Sequence, residues 1–430
     1  MIKTYNIKDI SVSEILRREE ESRDVSGSVA EIIKNVRERG DAALAEYTEK
    51  FDRVTLGSIV VSDEEINEAI AQIDAEFLDI LKESAENIRK YHRCQVRNGY
   101  SLTDKPGVMI GQRVTPIEKV GVYVPGGSAP LPSSVLMNVI PAKIAGVPFI
   151  AMATPPAKDG KINPSILAAA KIAGVDVIYK MGGSQAVAAL AYGTETVVAV
   201  DKIVGPGNAF VAEAKRQVFG KVGIDMIAGP SEVLVIADGS CKPSVVAADM
   251  LSQAEHDRMA SAILVTDSAG LAAAVADELE VQIPQLTRAE IARESIDKYG
   301  KIIIAENLRD AAKISNEIAP EHLELMVEEP FAYLPDIRNA GSVFLGKNCP
   351  EPLGDYFAGT NHVLPTSGTA KFSSPLSVDD FVKKSSYIYY TNEALENEAW
   401  KVNKFAMQEG LTAHAKSAVV RFDEGGSDKK

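Results

Sequence analysis

The sequence predicts an α/β protein with two Rossmann-like α/β units, a helical N-terminal segment and a small C-terminal tail domain. Three observations carry this. Short apolar strands alternate with Ala-rich helices over residues 119–235. The same alternation resumes over 233–350. The texture differs on either side: charged helical stretches precede residue 95, and a Tyr-rich strand with two more helices follows residue 377. Strands alternating with helices build parallel sheets covered on both faces.

Each element has its own signal. Residues 1–95 read as helices. In SVAEIIKNVRERG, Ser28 and Glu31 have capping-box spacing, Val29, Ile32, Ile33 and Val36 make an apolar stripe, and Gly40 is placed to stop the helix. SDEEINEAIAQI repeats the box with Ser62 and Glu65. The charge run LRREEESRD at 16–24 reads as a solvated helix face. His92, in KYHRC, is expected exposed at a helix C-terminus. In the first α/β stretch, KVGVYVP, PFIAMAT, DVIYKMGG and KIVGPG are each followed by a helix. Apolar strands such as DVIYK suit burial on both faces. VLVIAD, SAILVT, KIIIAEN and GSVFLG continue the pattern. SSYIYYT (385–391) reads as a strand, ENEAWKVNKFAMQ and AHAKSAVVRF as helices, and GGSDKK as a frayed end. The expected organisation is an N-terminal helical arm at 1–20, a main α/β domain at 21–122 plus 236–376, an inserted α/β domain at 123–235, and a tail domain at 377–430.

Composition excludes several function classes. The chain has 430 residues, 46% hydrophobic and 25% charged, as expected of a soluble globular protein with more than one core. Its net charge of −14 repels phosphate backbones, so no nucleic-acid partner is expected. No apolar run approaches a membrane span, and MIKTYNIKDISVSEILRREE has no signal-peptide core. Cys94, Cys241 and Cys349 are odd in number and far apart, which fits reduced thiols in a cytoplasmic protein.

Candidate sites fall into two groups. Three turns pass from a strand through glycine to a helix: YVPGGS (123–128), KMGGSQ (180–185) and VGPGNAF (204–210). One such turn is ordinary βα chemistry. Three in one sheet point toward a nucleotide, because helix N-termini bind phosphate and α/β sheets bind ligands beyond their strands' carboxyl ends. No GxGxxG is present, so the common dinucleotide fingerprint does not apply. The second group gathers the histidines. Asp249, Gln253 and His256 lie together on the flank of a helix stripe in ADMLSQAEHD. They suit a metal site and its supports, or a hydrogen-bonded polar cluster. Glu321 and His322 in IAPEHLELM suit separate acid and base roles. Asp355 and His362 share GDYFAGTNHVLPT, and His414 stands in EGLTAHAK. The absence of HExxH disfavours a zincin-type hydrolase.

Together the motifs VGVYVPGG, MGGSQAVAALAYGTE, KIVGPGN, DMIAGPSEVLVIAD, LSQAEHD, APEHLEL, GDYFAGTNHVLPT and EGLTAHA resemble histidinol dehydrogenase, over about residues 20–420. The resemblance implies an aldehyde/histidinol dehydrogenase-like fold. It implies oxidation of L-histidinol to L-histidine through L-histidinaldehyde with two NAD+, at the end of histidine biosynthesis. It implies one zinc ion per subunit held by Gln253, His256, Asp355 and His414, with Asp249 at most a support behind them. Substrate contacts are implied at Ser231, Gln253, His256, His322, Asp355, Glu409 and His414. NAD contacts are implied at Tyr123, Gln185 and Asn208, one in each glycine turn. Glu321 and His322 match the catalytic pair. The implied assembly is a homodimer in which each tail reaches the partner's site.

The residue chemistry agrees with that expectation. His322 suits the base that takes the hydroxyl proton as hydride leaves, and Glu321 suits activation of the water that hydrates the aldehyde. Zinc suits a template for the imidazole and amine of the substrate. The alternatives are a metal-dependent hydrolase using the same His/Asp/Gln set, and a metal-stabilised module without catalysis.

Overall fold

The computed structural model describes residues 2–15, 24–126, 130–227 and 229–422. The charge run at 16–24 lies outside these except for Asp24, and so does the GGSDKK end. The chain divides into two compact units, Met1–Val96 with Ile117–Phe381, and Arg97–Pro116 with Val382–Lys430.

The first unit opens with β1 (Lys3–Asn6) and α1 (Val12–Ile15), then α2 (Ser26–Arg39), α3 (Asp41–Asp52), α4 (Asp63–Ile70) and α5 (Ala75–Arg93). The next strands, β2 (Tyr100–Leu102) and β3 (Val108–Pro116), belong to the second unit. The first α/β stretch then runs β4 (Lys119–Tyr123), α6 (Pro132–Ala145), β5 (Phe149–Thr154), α7 (Pro164–Ala173), β6 (Val177–Lys180), α8 (Gly183–Tyr192), β7 (Lys202–Val204), α9 (Ala209–Val218) and β8 (Gly223–Ile224). The second runs β9 (Glu232–Ala237), α10 (Pro243–Ala254), β10 (Ser261–Thr266), α11 (Ala269–Gln282), α12 (Ala289–Lys298), β11 (Lys301–Ile304), α13 (Leu308–Ile318), β12 (His322–Met326), α14 (Pro330–Tyr333), β13 (Ser342–Leu345) and α15 (Glu351–Tyr356). The second unit closes with β14 (Val382–Tyr390), α16 (Asn392–Gln408) and α17 (Thr412–Val419).

Both α/β stretches form all-parallel sheets. One has five strands in the order β6-β5-β4-β7-β8. The other has six in the order β1-β11-β10-β9-β12-β13. On the five-stranded sheet, α6 and α7 pack on one face with α4 and α5, and α8 and α9 on the other with α2 and α3. On the six-stranded sheet, α10, α11 and α12 face α1 and α13 across the strands. The strands read as near-continuous apolar runs for this reason, and every residue of SAILVT in β10 is buried. Each buried Val, Ile or Leu contributes about 1.5–3 kcal/mol of transfer free energy.

Several expectations need correction. The arm at 1–20 is not wholly helical: Lys3–Asn6 forms an edge strand paired with β11. A four-residue edge strand needs no long apolar run, so its partner decides its state. The Ser62–Glu65 capping box forms, with both reciprocal bonds. The Ser28 box does not, because α2 already starts at Ser26 with Val25 as its uncapped N-cap residue. Gly40 does stop α2, with φ 53°. The domain boundaries expected at 122/123 and 235/236 cut β4 and β9 in mid-strand. The tail strand β14 pairs antiparallel with β3, so residues 97–116 join the tail's unit while 377–381 stay with the first.

Candidate active site

The first unit contains a cavity of about 180 Å³. It opens where the carboxyl end of β7, at Gly205 and Pro206, meets the amino ends of β9 and β12. Ser231, Gln253, His256, Glu321, His322 and Asp355 all line it. Thus six residues predicted from four separate stretches of sequence converge. Gln253 occupies the last turn of α10 and His256 follows its end, as the stripe geometry requires. His322 starts β12 with Glu321 immediately before it, and Asp355 sits on α15. The expected Glu409 and His414 belong to the second unit, at the end of α16 and within α17.

Hydrogen bonding assigns the two nitrogens of His322. Its Nδ1 lies 3.0 Å from the Glu232 carbonyl oxygen, which accepts only from a protonated nitrogen. Nε2 then faces the acids, 3.6 Å from Glu351 Oε1 and 3.7 Å from Asp355 Oδ1. Glu321 Oε2 accepts from the Glu232 amide at 2.8 Å, and burial pushes the Glu321 carboxyl up to about 7. Burial alone lowers His322, but the carboxylates of Glu321, Asp355 and Glu351 outweigh it and push the imidazole up to about 10. Asp355 is held down to about 2: His322 and His362 stabilise its charge against burial.

The donor set fits a divalent cation. Gln253 Oε1, His322 Nε2, Glu351 Oε1 and His362 Nδ1 are all buried without a hydrogen-bond partner. His322, Glu351 and Asp355 each direct one ligand atom into a cluster whose members lie within 4.8 Å of one another. No Lys or Arg faces these acids among the described pairs, so histidines alone offset their charge. A cation there would satisfy His322 Nε2 and Glu351 Oε1 and would counter the rise in the His322 pKa. The clustered triad shares only Asp355 with the set that the resemblance implies. Glu351 was not anticipated, although it stands one helical turn before Asp355 and so on the same helix face.

Two supports lie behind these residues. Asp249, one turn before Gln253, stands beside Glu324, which points to the same face of β12 as His322. Burial, with the neighbouring Asp249 charge, pushes the Glu324 carboxyl up to about 9. Glu324 Oε1 also accepts from the Glu351 amide at 2.8 Å, linking α10, β12 and α15. The second support is α5. Ser84 Oγ donates to the Tyr356 carbonyl at 2.5 Å and Asn87 Nδ2 to that of Phe357 at 2.9 Å. His92, expected exposed, is fully buried: its Nδ1 lies 2.9 Å from the Ile88 carbonyl and its Nε2 3.2 Å from Asn361 Nδ2. The buried loop needs polar partners there, and the helix-end histidine supplies one.

The three glycine turns also meet. The Gly183 amide donates to the Tyr123 hydroxyl at 3.0 Å. Gly205 lies so close to Tyr123 that a Cβ would stand 2.1 Å from its carbonyl oxygen. Ser184 Oγ donates to the Phe210 carbonyl at 3.0 Å. Gln185 is buried with Oε1 unpartnered, and Asn208 caps α9 through the Phe210 and Val211 amides.

With this geometry in view, the comparisons decide the family. The family described as histidinol dehydrogenase matches residues 15–422, a span holding every candidate residue. The chain belongs to the histidinol dehydrogenase family. It is 58% identical over 406 residues to histidinol dehydrogenase of Clostridium acetobutylicum, covering 94% of each chain. It is 56% identical over 398 residues to that of Geobacillus kaustophilus, covering 93% of this chain and 94% of the relative. The crystal structure of histidinol dehydrogenase from Elizabethkingia anophelis superposes with a TM-score of 0.94 at 40% identity, over 99% of both chains. A histidinol dehydrogenase fold therefore places the cavity, the acid cluster and the three turns in one framework.

Proposed function

We propose that this protein oxidises L-histidinol to L-histidine through L-histidinaldehyde, with NAD+ as the hydride acceptor and one zinc ion per subunit. The observation that carries the reading is His322: Nδ1 is pinned to a carbonyl, and Nε2 is unpartnered at the cavity beside Glu321. In the first step Nε2 takes the hydroxyl proton as a hydride leaves carbon for NAD+. Glu321 then takes a proton from water as it adds to the aldehyde, whose oxygen receives the proton held on His322; the hydrate next gives a proton back to Nε2 and the second hydride to NAD+, leaving the acid. Each oxidation removes two electrons, so the balance requires two NAD+ per histidine.

Gln253, His256, Asp355 and His414 would hold the zinc. The unpartnered Gln253 oxygen and the excess of buried carboxylates support a cation in this place. When bound, zinc supplies a Lewis-acidic anchor for the substrate's imidazole and amine. Ser231, Gln253, His256, His322 and Asp355 shape the substrate end, completed by Glu409 and His414. Tyr123, Gln185 and Asn208 would hold NAD+, a reading supported by the meeting of their three turns.

The assembly we propose is a homodimer, with Glu409 and His414 serving the partner's site. The second unit supports this. In α16 and α17 only Ala399, Ala406, Ala415 and Ala418 are buried, while Ile388, Trp400, Phe405 and Leu411 are exposed. Such an apolar surface wants a partner. A cytoplasmic location is consistent with three unpaired cysteines. Among the described residues no helix is long and apolar enough to cross a membrane. The hydrolase alternative is set aside, since the family is one of dehydrogenases. The test is stoichiometric. Purified protein with NAD+ and L-histidinol should form two NADH per histidine; a ratio of one, or accumulation of free aldehyde, overturns the two-step reading.

A further inference from the structure

Gly205, in the third glycine turn, is held from both sides by one ion pair. Lys215 lies on α9 and Asp225 directly follows β8; their side chains are 3% and 1% exposed. They pair through Lys215 Nζ and Asp225 Oδ1. Asp225 Oδ2 accepts from the Gly205 amide at 2.8 Å. Lys215 Nζ donates to the Gly205 carbonyl at 3.0 Å. The Asp225 amide meanwhile donates to the Ile203 carbonyl at 3.3 Å, so its carboxylate extends the β7–β8 ladder by one rung.

The arrangement is more than the turn needs to fold. A buried ion pair is often no more stable than apolar residues of like volume, because desolvation consumes its Coulombic gain. Gly205 already has φ 112°, and its Cα is pressed against the Tyr123 backbone, so glycine alone sets the bend. The pair instead fixes the direction of the Gly205 peptide groups, three residues before Asn208. Its location joins two functions. Lys215, Asp225, Gly205 and Pro206 all line the cavity that holds His322 and Gln253.

We infer that the Lys215–Asp225 pair is a positioning device that holds the Gly205–Asn208 turn in the geometry for NAD+ and thereby sets cofactor affinity. This rests on the nucleotide reading of the three turns. Neither residue is placed in contact with the reacting atoms.

The test uses the zinc-loaded full-length enzyme, with NAD+ binding measured calorimetrically beside kcat and the thermal midpoint. Two variants are made, the apolar double Lys215→Met/Asp225→Leu and the milder Asp225→Asn. The double variant should lose less stability than removing one charge alone, because both charges go together and only the two Gly205 groups are stranded. It leaves both Gly205 groups unpaired, so the Kd for NAD+ should rise about tenfold, with kcat at saturating NAD+ changing far less. If the double variant does not fold, Asp225→Asn decides: it keeps an acceptor for Gly205 but loses the charge that holds Lys215, and its Kd should rise about threefold. Wild-type affinity in the folded variants overturns the inference. So does a fall in kcat that tracks lost stability while affinity holds. If wild-type protein binds no NAD+, the nucleotide reading itself falls and the device with it.

Discussion

His322 is useful because its two nitrogens are committed to different tasks. Nδ1 is spent on the Glu232 carbonyl, so only Nε2 is left to act at the cavity. His322→Ala or Glu321→Gln should lower kcat by about 10²–10⁴-fold while bound zinc, measured by metal analysis after dialysis, stays near one per subunit. His256→Ala should instead lose zinc and substrate binding together. An emptied metal site in His322→Ala would show that the spacing of His322, Glu351 and Asp355 reflects true ligation, and would remove His322 as a dedicated base. At this scale the sequence was legible where rare residue types sit in distinctive stretches. Gln253, His256, Glu321, His322 and Asp355 reach one cavity as expected. Glu324 and Glu351 were not legible, because acids are common on helix and strand surfaces. Their burial is a tertiary property, created where α15 packs on α10 and the Glu351 amide bonds Glu324 of β12.

Elements decide how rigid that constellation is. The helix α5 contributes no residue to the cavity, yet Ser84, Asn87 and His92 hold the chain between Tyr356 and Asn361. Asn361 is the centre of this attachment. Its Nδ2 donates to the Met137 carbonyl at 2.8 Å and its Oδ1 accepts from the Val363 amide at 2.9 Å. Asn361→Ala strands those buried groups, at about 1–3 kcal/mol each. The expected outcome is a lower unfolding midpoint in denaturant and faster loss of zinc to a chelator, since Asp355 and His362 flank the released loop. A lowered midpoint with unchanged zinc retention would mean that α5 supports the fold but not the site. The βα alternation was readable because buried parallel strands and amphipathic helices differ in period and in apolar run length. The strand β1 and the buried face at His92 were not, because four residues, or one histidine, carry too little pattern against a distant partner.

At the scale of the whole molecule, residues 97–116 and 382–430 make one unit although more than half the chain separates them. No local pattern announces that β3 will pair with β14; antiparallel pairing of distant strands is settled by register and burial. The same unit carries Glu409, His414 and the exposed Trp400 and Phe405, and the proposal sends it to the partner's site. Complementation tests this without further structure. His322→Ala and His414→Ala homodimers should each be nearly inactive. When the two variants are unfolded and refolded together, each heterodimer has one site with both defects. Its other site takes intact His322 from the His414→Ala chain and intact His414 from the His322→Ala chain. Activity should reappear at about half the wild-type level per heterodimer if the two sites act independently. Should native mass spectrometry show abundant heterodimers while activity stays absent, each His414 serves its own chain's site, and the exposed apolar surface of the second unit must be explained by some other contact.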